Sequence, residues 1–147
     1  GALKMENVIC HLNDVLPDDA ILTNGAGNYS AWLHRYYRYR DHGTQLAPTS
    51  GSMGYGLPAA VAAKIERPNQ EVICLAGDGC FQMTSIRNPN FAAFAECYGG
   101  FGAVVETDAE FVEAFAAARA SGKPAIIEMR IDPNALGPMA KLEKLDT

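Results

Sequence analysis

Long apolar runs are missing from this chain: none approaches the roughly 18 residues that would mark a membrane-spanning helix. Charge is modest too, at 20% of residues, and 12 Lys and Arg against 17 Asp and Glu leave a formal net charge of −5. That balance sets a long-range repulsion against nucleic acid, so no nucleic-acid partner is expected without a concentrated basic patch. The four cysteines, Cys10, Cys74, Cys80 and Cys97, contain no C-x-x-C pair. Three of them lie in apolar stretches, where a thiol packs as a small hydrophobe, so neither a zinc site nor a disulfide framework is expected. His11, His34 and His42 have no metal-ligand spacing. No signal-peptide pattern follows Gly1, which makes the cytoplasm the expected location, and Gly1 in place of Met suggests a natural chain extending upstream.

What is present is an ordinary globular mixture, 48% apolar over 147 residues, enough for one domain with a real core. Met5, Val8, Ile9, Leu12, Val15 and Leu16 recur at helical spacing before Pro17. Ala20 to Asn24 and Val72 to Ala76 are short apolar strands, each running into a glycine-rich turn. Helices are expected over 28–40, with Trp32, Tyr36 and Tyr39 on one face, and over 57–65, ending before Pro68. Asn88-Pro89 begins a further helix through Phe91 and Phe94. Strands over 103–105 and 125–131 flank a helix opened by the capping box Thr107-x-x-Glu110. Apolar strands alternating with helices predict an α/β fold, a parallel sheet with helices on both faces.

In such sheets ligands bind outside the carboxyl ends of the strands. Three glycine-rich segments fall there: Gly25 to Asn28, Gly51 to Gly56, and Gly77 to Cys80. Glycines at these places let the backbone approach a ligand and offer N–H groups to phosphate. Asp78 lies between two of them, and a carboxylate beside phosphate requires a hard cation such as Mg²⁺ between the two. Alone, Gly77-Asp78-Gly79 would read more simply as an Asx turn capping the next helix.

It is not alone. Ser50-Gly51-Ser52-Met53-Gly54-Tyr55-Gly56-Leu57-Pro58-Ala59-Ala60, followed by Gly77-Asp78-Gly79-Cys80-Phe81-Gln82-Met83-Thr84, resembles the diphosphate-binding domain of thiamine diphosphate enzymes. The likeness is to the acetolactate synthase, benzoylformate decarboxylase and glyoxylate carboligase group. It extends through Asn88-Pro89-Asn90-Phe91 to Gly99, and from Pro124 to Pro133. The resemblance implies that Asp78 binds Mg²⁺ and that the N–H groups of Gly79 and Cys80, in the turn begun by Gly77, hold diphosphate oxygens. Asn28 and Tyr29 would supply polar diphosphate contacts. Met53, flanked by Ser52, would wedge beneath thiamine diphosphate and bend it, and the Gly51 carbonyl would accept a hydrogen bond from its amino group. The cofactor would carry the covalent catalysis, decarboxylating a 2-oxo acid and passing the remainder to a proton or a second carbonyl.

Two departures bear on that expectation. The family's activating glutamate lies on a separate pyrimidine-binding domain, usually of another subunit, and nothing here resembles it. No catalytic residue is therefore expected in this chain, which calls for a pyrimidine-binding partner and a homo-oligomer. Second, the family follows the aspartate motif with a helix, a strand and an asparagine that completes the metal site. Here Thr84-Ser85 passes directly to Ile86-Arg87-Asn88-Pro89. The nine residues between Asp78 and Asn88 are also fewer than the dozen or so that a parallel crossover needs. The chain is expected to be one domain over 1–147 with a deletion or break within 83–87. A non-catalytic remnant of the same fold is the alternative that this gap keeps open.

Two weaker patterns remain. Gly25-Ala26-Gly27-Asn28-Tyr29-Ser30 approaches a dinucleotide fingerprint, but no acidic residue follows at the required distance, since Asp41 comes too early. His34-Arg35-Tyr36-Tyr37-Arg38-Tyr39-Arg40 mixes basic and aromatic residues as single-strand binders do. On this acidic chain it is better taken as an amphipathic helix whose arginines complement the helix C-terminus.

Overall fold

The computed structural model describes residues 1–81, 89–132, 135–138 and 140–141. The Gln82-Met83-Thr84 end of the glycine motif, Asn88 and the expected break within 83–87 lie outside the described residues. Helix α1, Met5–Val15, buries Met5, Val8, Ile9 and Leu12, the apolar stripe that its spacing predicts. Strand β1, Ile21–Asn24, is buried along its whole length. It pairs in parallel with β2, Gln45–Leu46, on one side and with β3, Val72–Leu75, on the other. Helix α3, Gly56–Glu66, follows the second glycine segment.

The second half repeats the parallel scheme on its own. Strand β4, Phe101–Val105, pairs in parallel with β5, Ala125–Met129, over five residue pairs. Between them runs α6, Asp108–Ser121, and before them α5, Phe91–Cys97. The core joins both halves: Leu3, Val8, Ile9, Leu22, Trp32 and Leu33 pack in one cluster with Val105, Phe111 and Phe115. A short antiparallel hairpin, β6 (Ala135–Gly137) with β7 (Ala140–Lys141), follows β5.

The expected α/β class holds, with three corrections. The parallel strands form two sheets, β2-β1-β3 and β4-β5, with no ladder joining β3 to β5 among the described residues. Helix α2 spans only Ser30–Tyr36 and does not reach Arg40, because Tyr37 turns extended at φ −81° and ψ 137°. Asn13 of α1 clips that end, its side-chain amide donating to the Tyr36 carbonyl at 2.7 Å and its Oδ1 accepting from the Arg38 amide at 2.9 Å. Finally, all four cysteines are free, but Cys10 and Cys97 are exposed, not packed. Among the described residues no helix is long and apolar enough to cross a membrane.

Candidate functional site

The three glycine segments converge where the strand ends predict. Thr23, buried in β1, donates its hydroxyl to the Gly56 carbonyl at 2.9 Å and so ties the start of α3 to that strand. The contact is backbone on backbone: a Cβ at Gly56 would lie 2.8 Å from the Asn24 carbonyl carbon and the Gly25 nitrogen. Gly51 and Gly54 hold φ at +68° and +77°, the left-handed region that glycine occupies without strain. These two turns carry Met53 out of any core. It is 51% exposed, and its Cε lies 3.7 Å from where a Cβ of Gly79 would be. Ser52 is exposed beside it, with its hydroxyl 2.9 Å from that of Ser50.

At the end of β3, Asp78 opens a single turn of helix, α4 (Asp78–Phe81), closed by the Phe81 amide donating to the Gly77 carbonyl at 2.9 Å. Buried Cys80 bridges to the first segment, its thiol donating to the Ala26 carbonyl at 3.0 Å. Met53, Gly77, Asp78, Gly79 and Cys80 are thus one neighbourhood. Asn28 is exposed at its edge, and its carbonyl accepts from Ala31 in the turn that starts α2.

Tyr29 sits deeper than the sequence suggests. Its ring lies against Gly27 and Gly77, where added Cβ atoms would approach Cε1 to 2.7 and 2.9 Å, and a Cβ on Gly25 would meet the hydroxyl at 2.9 Å. Three glycines expected to admit phosphate therefore admit a phenol ring. The hydroxyl is buried, with the Cys80 thiol and the Gly25 and Gly77 backbone beside it and no well-aligned hydrogen bond among the described residues. Burial, with the Cys80 thiol beside it, pushes its pKa up to about 12. A donor between two glycine loops without a well-aligned acceptor is the arrangement that a diphosphate oxygen would satisfy, so the residues present fit the diphosphate end of the cofactor. For a metal, the described residues hold no cluster of three His, Cys, Asp or Glu side chains, and Asp78 is the one carboxylate in the turn.

Beside Asp78 lies a feature without a signal in the sequence. A cavity of about 140 Å³ opens between the end of β3 and β5, lined by Ala76, Asp78, Phe81, Phe91 and residues 126–129. It falls where, among the described residues, no ladder joins the two sheets.

Residues 25–88 and 84–129 match the family of thiamine pyrophosphate enzymes, in their C-terminal TPP-binding domain. The chain belongs to that family. An acetolactate synthase of Mycobacterium leprae is 40% identical over 86 residues, which are 58% of this chain and 14% of that enzyme. The acetolactate synthase large subunit of Lactococcus lactis is 36% identical over 85 residues, 56% of this chain and 15% of that subunit. YdaP of Bacillus subtilis, named as thiamine pyrophosphate-containing, is 25% identical over 171 residues, covering 88% of this chain and 30% of its own. The solved structure of the thiamine diphosphate-dependent 4-hydroxybenzoylformate decarboxylase of Rhodococcus jostii superposes with a TM-score of 0.76 at 26% identity. That match covers 89% of this chain and 33% of the enzyme. The chain therefore spans about a third or less of each relative, and it corresponds to their thiamine diphosphate-binding domain.

Proposed function

We propose that this domain holds the diphosphate end of thiamine diphosphate, through Mg²⁺ on Asp78, within a 2-oxo acid decarboxylase or carboligase resembling acetolactate synthase. The observation that carries the reading is the meeting of Met53 with Gly79 and of Tyr29 with Gly77 and Cys80 across the ends of β1 and β3. Gly79 and Cys80 would offer the amides of a tight turn to diphosphate oxygens, the Tyr29 hydroxyl would donate to another, and exposed Met53 would support the bound cofactor. Bound there, the cofactor supplies the electron sink on which a 2-oxo acid loses CO₂. Asn28 would add a polar contact to the diphosphate, and the Gly51 carbonyl, beside Ser52, would accept from the cofactor's amino group. A pyrimidine-binding domain or subunit supplies the activating carboxylate, and a homo-oligomer brings the two together.

A second reading, a non-catalytic remnant, draws on the segment expected to be missing. The family match falls in two pieces that meet at 84–88. The alignment with YdaP runs over 171 positions but uses 88% of 147 residues, about 129, so about 42 positions of the relative have no counterpart. The split sheet and the cavity between β3 and β5 are where such a segment would lie. One carboxylate satisfies octahedral Mg²⁺ poorly, so loss of the segment weakens the metal site first.

Calorimetric titration with thiamine diphosphate, in Mg²⁺ and in EDTA, decides between them. Mg²⁺-dependent binding that Asp78→Ala removes supports the enzyme domain. Absence of binding in both conditions refutes it and leaves the remnant.

A further inference from the structure

The early end of α2 creates a site that the cofactor reading does not use. Tyr37 to Arg40 leave the helix and fold back over α1, held by Asn13, whose carbonyl also accepts from Arg40 Nη2 at 2.7 Å. A concavity of about 330 Å³ opens there, lined by Arg35, Arg38, Arg40, Tyr36, Asn13, Asp14 and Cys10. Had the helix continued, as its sequence suggests, these arginines would lie on its flank; the turn gathers them round one hollow instead.

Their ordinary explanation, complementing the helix C-terminus, is already met by other groups. The Leu33 carbonyl accepts from the Tyr37 amide and the Tyr36 carbonyl from Asn13. Arg40 pairs with Asp18 at 3.4 Å, whereas Arg35 and Arg38 have no ion-pair partner among the described residues. Asp14 is the single carboxylate lining the hollow. A chain of net charge −5 thus keeps two uncommitted guanidiniums and a third, anchored one in one concave place. Guanidinium forks match phosphate and carboxylate oxygens in pairs, and their charge is fixed at any working pH.

We infer that the hollow between α1 and the end of α2 binds a small polyanion, a diphosphate or phosphate ester, separately from the thiamine diphosphate site. Its volume is that of a small-ligand pocket, and the overall acidity of the chain opposes a nucleic-acid polymer. The site lies at the C-terminal end of α2, whereas the glycine loops lie at the other end, about 10 Å away along a seven-residue helix. No metal is needed, because the charge is supplied by side chains.

The test is calorimetric titration of the full chain with inorganic pyrophosphate in EDTA, where Mg²⁺-dependent binding at Asp78 is suppressed. The expected result is binding that weakens at least about tenfold in R35A/R38A, the equivalent of about 1.4 kcal/mol, and that persists in Asp78→Ala. Both arginines are exposed, so an unchanged thermal midpoint and circular dichroism show that the double variant still folds. ADP as a second probe identifies the source of the phosphate: affinity equal to pyrophosphate means that phosphate alone is read, and tighter binding means that Tyr36 takes a base. No binding of pyrophosphate overturns the inference. So does equal binding by R35A/R38A, loss of binding in Asp78→Ala, or tighter binding of a single-stranded oligonucleotide than of either probe.

Discussion

The loops after β1 and β2, which open α2 and α3, and those that open α5 and α6 begin their helices in opposite ways. In the second half side chains do the capping. Asn90 accepts from the Ala93 amide at 2.9 Å, and Thr107 and Glu110 form a reciprocal capping box. Even α1 borrows a carboxylate, its Lys4 amide donating to Asp108 at 2.8 Å. In the first half Tyr29 and Tyr55 precede α2 and α3 and neither caps with its side chain. Glycine replaces the cap there. A terminus closed by its own side chain has used its free N–H groups, whereas a glycine-built one keeps bare backbone within reach of a ligand. One region is built for stability and the other gives some of it up for access.

The most severe way to break the comparison is to add one carbon to the second half. A Cβ at Gly102 of β4 would fall on the Ala92 carbonyl of α5, and backbone cannot step aside. Gly102→Ala should cost about 3 kcal/mol or more, read as a lower urea midpoint at unchanged slope. The same change in the first half, Gly56→Ala, meets backbone at 2.8 Å and should cost about 2 kcal/mol. If Gly56→Ala proves harmless, the first half is looser than its distances say and glycine there serves only the ligand. Next in size is Thr107→Ala, which removes one arm of the capping box for about 1 kcal/mol in the same measurement.

How much of this is visible in the sequence follows from the range of each signal. The strand end at Asn24 is legible because the apolar run stops at glycine, the run to Ala76 overshoots the end of β3 at Leu75 by one residue, and the box at Thr107 is legible because both its members lie within one turn. The end of α2 was not, because Asn13, which clips it, is 23 residues away. Two- and three-residue strands such as β2 and β6 have no periodicity to find. Exposed Cys10 follows Ile9, which is fully buried, so one step round a helix separates the core from solvent. The sequence marks the glycines at 25, 27 and 77 as places where a ligand approaches the backbone, whereas the group that approaches them in the structure is Tyr29. An aromatic two residues beyond Gly27 was the only hint.

The smallest expected effect separates stability from function most cleanly. Tyr29 and Tyr39 both carry buried hydroxyls with no well-aligned hydrogen bond among the described residues, and burial raises both to about 12. Removing an unsatisfied hydroxyl should not destabilise, so Tyr29→Phe and Tyr39→Phe should each leave stability unchanged or raise it by up to about 1 kcal/mol at neutral pH. The sign reverses the usual acid-side behaviour. Above pH 10 the unfolded phenol gives up its proton while the folded one keeps it, so native stability is intact below pH 10 and declines up to pH 12. Each Phe variant removes its share of that decline and the double variant more, while the part due to Tyr37 and Cys74, which burial also raises, stays, as urea midpoints at pH 9 and 11 would show. The two tyrosines part company with ligand. If the Tyr29 hydroxyl is the donor that diphosphate satisfies, Tyr29→Phe weakens thiamine diphosphate binding several-fold while Tyr39→Phe does not, although both behave alike in urea. Equal affinity in the two variants would make Tyr29 a strut between the loops, and the glycines around it a matter of packing alone.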